Sequence, residues 1–151
     1  MDAVSLPEGY AISSDSSRLD LDVIHGFLAQ SYWAKAIPRE IVEHSVRNSL
    51  CWGVYHEERQ VGFARVISDR ATFAYLCDVF ILPDHRGKGL SKALVAAVKA
   101  YPELRNLRRW MLITVDAQGL YKQFGFAAVP QPERHMEIHR PGMYLEGQTP
   151  S

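Results

Sequence analysis

The chain has 151 residues, 47% of them apolar and 23% charged, and its 17 basic and 17 acidic side chains cancel to a formal net charge of zero. That length supports one domain with one hydrophobic core, and the neutrality removes the broad basic field on which nucleic-acid binding draws. No apolar stretch approaches the roughly 20 residues of a membrane helix, the start Met1-Asp2-Ala3-Val4-Ser5 lacks a basic-then-apolar leader pattern, and Cys51 and Cys77, far apart in strand-like runs, read as reduced core thiols of a cytoplasmic protein.

Residues 10–13 read as a short first strand, and Asp15-Ser16-Ser17 supplies turn or cap chemistry before a helix over about 20–30. Val23, Ile24, Phe27 and Leu28 recur there at helical spacing. An aromatic-bearing loop, Ser31-Tyr32-Trp33-Ala34-Lys35-Ala36-Ile37, leads to Pro38, which opens a second amphipathic helix through Ile41, Val42 and Val46. Residues 51–55 and 61–67 are β-rich runs on either side of a hairpin at 56–60, and a turn at Ser68-Asp69-Arg70 leads into a third strand at 72–82. Three consecutive antiparallel strands follow from these turns. A helix at 90–100 then precedes an apolar-rich run at 110–115, which lies parallel to its predecessor if the helix is a right-handed crossover. Asp116 is expected to cap a short helix ending at Gly125, residues 136–139 to close the sheet as a last strand, and the Pro- and Gly-rich stretch from about 140 to fray.

Between the third strand and its following helix stands Arg86-Gly87-Lys88-Gly89-Leu90-Ser91. Glycines let the backbone curl close to a ligand, and the unpaired N–H groups of a helix's first turn face outward at the positive end of the dipole. Such a turn is an anion cradle suited to phosphate or pyrophosphate. It is not a P-loop, because Gly87-Lys88 is followed by Gly89, and it is not the dinucleotide fingerprint, because the third glycine of G-x-G-x-x-G is missing. Lys88 and Lys92 add local positive charge, though a lysine so placed is more often a solvated helix-start residue than a phosphate ligand.

The spacing R-x-x-G-x-[small] resembles the acetyl-coenzyme A signature of the GNAT N-acetyltransferases. About thirty residues later, Leu120-Tyr121-Lys122-Gln123-Phe124-Gly125-Phe126 resembles that family's second segment, L/F-Y-x-x-x-G-F. The element order β-α-α-β-β-β-α-β-α-β matches the same α/β fold, a mixed central sheet with splayed strands. The resemblance covers residues 10 to about 138 and implies a single N-acetyltransferase domain with acetyl-CoA as co-substrate and no metal. It places pantetheine against the backbone of Val79, Phe80 and Ile81, and pyrophosphate on amides of Arg86, Gly87, Lys88, Gly89, Leu90 and Ser91. Ser91 departs from the usual small Gly or Ala. Asp116 stands near where many relatives carry an Asn that touches the cofactor arm, though its spacing differs and a plain cap explains it. Dimers are common in the family, so a homodimer is expected.

Acetyl transfer to an amine needs a neutral nucleophile, and a lysine-like amine of pKa about 10.4 costs roughly 4 to 5 kcal/mol to deprotonate at pH 7. Tyr121 is the general acid that the resemblance implies, with a core aromatic as the plainer reading. The base is open: relatives use a strand Glu, this chain has none there, and Asp78 is the nearest carboxylate, which alternation sends to the opposite face from Tyr75 and Cys77. His25, His44, Glu40 and ordered water stand behind it. Cys77 as an acetyl carrier is the weakest candidate, since buried thiols are inert. The acceptor, a primary amine of a small molecule or peptide, is expected among Tyr32, Trp33, Phe73, Tyr75 and Trp110, whose rings suit an apolar or cationic amine. The competing readings are a non-catalytic acyl-CoA-binding or sensing domain, and a partner-binding domain that exposes the Tyr32-Trp33 loop.

Overall fold

In a computed structural model that describes residues 5–146, five strands form one sheet in chain order: β1 (Tyr10–Ser13), β2 (Leu50–His56), β3 (Arg59–Ser68), β4 (Phe73–Ile81) and β5 (Arg109–Met111). The first four are antiparallel neighbours, and β5 runs parallel to β4. Five helices complete the chain: α1 (Leu21–Leu28), α2 (Arg39–Arg47), α3 (Leu90–Lys99), α4 (Gln118–Lys122) and α5 (Met143–Glu146).

Local chemistry explains most of the boundaries. The Asp20 carboxylate accepts from the amides of Asp22 and Val23, satisfying two otherwise unpaired donors at the start of α1. Replacing it by Ala should cost about 1 kcal/mol in chemical denaturation, and a loss below about 0.3 kcal/mol would remove the cap as a stabilising feature. Pro38 occupies the cap position of α2, where its missing N–H costs nothing. The β2–β3 hairpin closes with His56 opposite Arg59, around Glu57 at φ 59°.

The sheet is covered on both faces, so β2 and β3 read as nearly continuous apolar runs rather than alternating ones. Leu90, Leu94, Val95 and Val98 of α3 gather with Trp52, Val54, Val66, Ala74 and Leu76 on one face. Ile24, Leu28 and Val42 of α1 and α2 gather with Cys51, Phe63 and Phe80 on the other. In β4, register moves from Arg65 opposite Cys77 to Phe63 opposite Phe80, so Ala64 faces two residues, Asp78 and Val79. This is a β-bulge, with Asp78 at φ 53°.

Three expectations are corrected. Strand pairing in β5 ends at Met111 rather than at 115, with only residues 73–75 of β4 joined to it. The loop amide of Ala117 is satisfied by Thr114 Oγ, and Asp116 makes no cap bond to α4. Residues 136–139 form no strand: from 127 to 141 every residue is exposed. Of the stretch expected to fray, residues 143–146 form α5 and Tyr144 packs on the α1–α2 core, while residues 147–151 lie outside the described part.

Candidate active site

The glycine turn is built as the sequence suggested. After β4 a 3-10 turn (Pro83–His85) carries the chain into Gly87 and Gly89, at φ 78° and 77°, a backbone region that costs little only for glycine. A Cβ at either position would meet no atom within 4 Å, so backbone conformation rather than crowding demands the glycines, and the space above them is open. Gly89 is the cap residue of α3 and offers no side-chain acceptor, while the first helical bond runs from the Ala93 amide to the Gly89 carbonyl. The amides of Leu90, Ser91 and Lys92 therefore stand free for an anion at the positive end of the helix. They border a cavity of about 240 Å³ lined by Ile81, His85, Arg86, Gly87, Gly89, Leu90, Ser91, Lys92 and Leu120. Arg86 folds back, its Nε donating to the Ile81 carbonyl at 2.9 Å, and so clamps its own loop. Lys92 lines the cavity and Lys88 does not.

Because β5 leaves β4 after Tyr75, the later residues of β4 have a partner strand only on the β3 side. The backbone from 76 to 81, including Val79, Phe80 and Ile81, thus presents a free edge that ends at the cradle, fitted to an extended, amide-bearing ligand. Tyr121 is buried in the same core cluster as Ile81 and Leu90, one residue after the cavity-lining Leu120. Burial raises its phenol above the ordinary value, so at neutral pH it is a hydrogen-bond donor.

Asp78 is not where strand alternation put it. The bulge rotates it onto the face shared by Arg65 and Cys77: Asp78 Oδ2 accepts from Arg65 Nε at 2.9 Å, and Oδ1 accepts from Trp33 Nε1 at 2.9 Å. Arg65 also donates to Ser49 Oγ at 3.1 Å. Burial opposes the Arg65 charge, but Cys77 and Asp78 outweigh it and hold the guanidinium above its usual value. Cys51 and Cys77 flank Arg65 across the strands, and burial pushes both thiols up to about 12, so neither is a nucleophile at neutral pH.

The candidate acceptor aromatics separate into groups. Trp33, tied to Asp78, stands beside Phe27, which stacks on Phe80 with ring centres 4.0 Å apart; Tyr32 meets Trp33 edge-on and is exposed. Tyr75 is half-buried, with Glu137 among the charges around it. Phe73 stands at the far end of β4, about 16 Å of extended strand from Asp78. Trp110 belongs to the opposite face, packed edge-on to Phe126 and under the Lys99 ammonium. A second cavity, of about 450 Å³, lies along α1 and is lined by Asp22, Val23, Gly26, Phe27, Gln30, Ser31, Leu82 and Pro83, with none of the five predicted aromatics.

Of the other base candidates, His25 Nε2 lies 3.0 Å from the Ile37 carbonyl and holds the α1–α2 loop, whereas Glu40 and His44 are exposed on α2. Sequence reasoning passed over Arg65, although a lone cation inside Val61-Gly62-Phe63-Ala64-Arg65-Val66-Ile67 is the available signal for a buried ion pair. Among the described residues no cluster of three metal-ligating side chains gathers, and no helix is long and apolar enough to cross a membrane.

Comparison with known proteins agrees with this geometry. The family model for the acetyltransferase (GNAT) family matches residues 17–126. A protein of Gibberella zeae described as a putative acetyltransferase is 33% identical over 136 residues, covering 74% of this chain and 75% of that protein. A crystal structure from Xanthomonas campestris, of a putative acetyltransferase assigned to the GNAT family, superposes with a TM-score of 0.89 at 51% identity, over 93% of this chain and 99% of the other. A Clostridium acetobutylicum protein solved with acetyl-CoA shares the fold at 13% identity and a TM-score of 0.60, over 86% of this chain and 94% of its own. The cradle, the free β4 edge and these similarities converge: this chain belongs to the GNAT acetyltransferase family.

Proposed function

We propose that this protein transfers an acetyl group from acetyl-CoA to a primary amine of a small molecule or peptide by direct attack. The observation that supports the reading is the set of free amides at the start of α3 beside the unpaired edge of β4, with Tyr121 buried in the core cluster that holds Ile81 and Leu90. Amides of Gly89, Leu90, Ser91 and Lys92, in the loop that Arg86, Gly87 and Lys88 shape, would seat the pyrophosphate, and the free edge at Val79, Phe80 and Ile81 would bond the pantetheine amides. A backbone N–H of that edge would also polarise the thioester carbonyl. Asp116, exposed before α4, is the remaining residue assigned to the cofactor arm.

The amine nitrogen forms the new C–N bond as the C–S bond breaks, and the proton lost by nitrogen balances the one gained by sulfur. A thiolate of pKa about 8.5 is a weaker base than a phenolate, so Tyr121 serves the leaving sulfur chiefly as a hydrogen-bond donor rather than by outright proton release. Asp78, with one oxygen held by Arg65 and the other by Trp33, keeps lone pairs to orient the amine, while water carries its proton away. Trp33 and Tyr32, beside Asp78, would border the acceptor, with Tyr75 and Phe73 farther along one face of β4; Trp110 packs on the opposite face. The two free thiols suit a reducing, cytoplasmic setting.

A screen of amine acceptors that follows free thiol release tests the reading. Binding of acetyl-CoA without thiol release for any amine would leave a sensing domain instead. Tyr121→Phe should lower turnover by about 10- to 100-fold, the worth of one hydrogen bond to a charged group, with KM for acetyl-CoA within about twofold. Unchanged turnover would remove Tyr121 from the chemistry.

A further inference from the structure

One side chain of the cradle is held by a residue from the opposite edge of the sheet. His85, the last residue of the 3-10 turn, lines the cavity of about 240 Å³ beside the free amides of α3. Its Nδ1 lies 2.6 Å from the hydroxyl of Tyr10, which belongs to β1 and packs on the core face that α3 covers. His56, at the end of β2, packs against both rings, its centre 4.6 Å from that of Tyr10 and 5.2 Å from that of His85. All three residues are half-buried, so a hydrogen bond and ring packing together fix the imidazole at the wall of the cavity.

The two ring nitrogens of His85 have different fates. Tyr10 occupies Nδ1, which leaves Nε2 for whatever fills the cavity. Ionised phosphate oxygens accept hydrogen bonds, so Nε2 must carry a proton to serve them. The phenol secures that proton. It donates to Nδ1 when the ring is neutral, which puts the single ring proton on Nε2, and it accepts from Nδ1 when the ring is an imidazolium, which bears a proton on both nitrogens. The neighbouring Arg86, by contrast, spends its Nε on the Ile81 carbonyl of its own loop.

We propose that His85 is a pyrophosphate-binding residue, its Nε2–H donating to a phosphate oxygen of acetyl-CoA, and that Tyr10 is the positioning residue that keeps the proton there. This rests on the acetyl-CoA reading above and adds to it two residues that lie outside both short motifs. A strand at one edge of the sheet thereby helps to hold the cofactor at the end of β4.

A purely structural pair would tie β1 to the turn equally well, so the test compares ligands with and without phosphate. Calorimetry gives Kd for acetyl-CoA and for its 3′-dephospho form, which keeps the pyrophosphate, and an NMR titration gives it for S-acetylpantetheine, which has no phosphate. His85→Ala should weaken both nucleotide ligands by about 10- to 100-fold, the range of a hydrogen bond to a charged group, and leave S-acetylpantetheine within about twofold. His85→Gln, which retains an N–H donor, should recover much of the loss. Tyr10→Phe keeps the ring contacts and removes the hydroxyl; it should weaken both nucleotide ligands by about threefold, and it carries the same comparison if His85→Ala does not fold. An unchanged Kd in His85→Ala would overturn the proposal, as would equal losses for all three ligands. A loss for acetyl-CoA alone would move the contact to the 3′-phosphate and overturn the pyrophosphate assignment. Failure of the unmodified protein to bind acetyl-CoA would instead sink the acetyl-CoA reading itself, and this proposal with it.

Discussion

Arg65→Met should destabilise the protein by about 3 to 5 kcal/mol, the cost of leaving a buried carboxylate without its counter-ion. The side chains of Arg65 and Asp78 are only 16% and 11% exposed, and their contact at 2.9 Å joins the centres of β3 and β4 at the bulge. Asp78→Asn should also be costly, because it strands the guanidinium instead. The double variant Arg65→Met/Asp78→Asn should recover much of the loss, since replacing both members of a buried pair is often close to neutral. Urea denaturation of the four proteins measures the coupling directly. A loss below about 1 kcal/mol for Arg65→Met would mean that water reaches the pair and that the carboxylate is held by Trp33 alone. Loosening this pair also frees the α1–α2 loop, so a destabilised but folded variant should show a raised KM for the amine more than for acetyl-CoA.

Gly89→Val should abolish the thermal shift produced by acetyl-CoA. A ligand at a hundred times its dissociation constant stabilises by about 2.7 kcal/mol, which for a domain of this size is roughly 5 to 11 °C in Tm. Valine at φ 77° is strained, so the loop must move, and with it the amides of Leu90 and Ser91 that would hold the pyrophosphate. The unliganded variant should melt lower through that strain alone, so the decisive quantity is the shift on adding acetyl-CoA rather than the starting Tm. A full shift in Gly89→Val would place the cofactor elsewhere. No shift in the unmodified protein would undercut the acetyl-CoA reading before any acceptor is tried.

Features that follow from neighbouring residues were legible in the chain. The Asp20 cap, the Pro38 start of α2, the β2–β3 hairpin and the glycine turn into α3 each arise within a few residues, where propensity and hydrogen-bond supply decide the outcome. Asp116 was misread for a related reason: Thr114, two residues earlier, supplies the loop's acceptor, and two polar residues so close compete for one amide. Asp78 failed differently. A period of two places its side chain on one face, and the bulge opposite Ala64 moves it to the other, a change set by the pairing of β3 with β4.

The amino-acid sequence by itself determined the element order from β1 to α4, the glycine turn into α3 and the family, because caps, turns, hydrophobic period and two short motifs are local properties of the chain. Tertiary structure alone decided that Asp78 meets Arg65 and Trp33, that β5 leaves β4 after three pairs to bare the edge between them, and that residues 136–139 stand unpaired outside their own sheet. Those outcomes depend on which distant backbone lies alongside, and a strand pattern records the need for a neighbour without naming it.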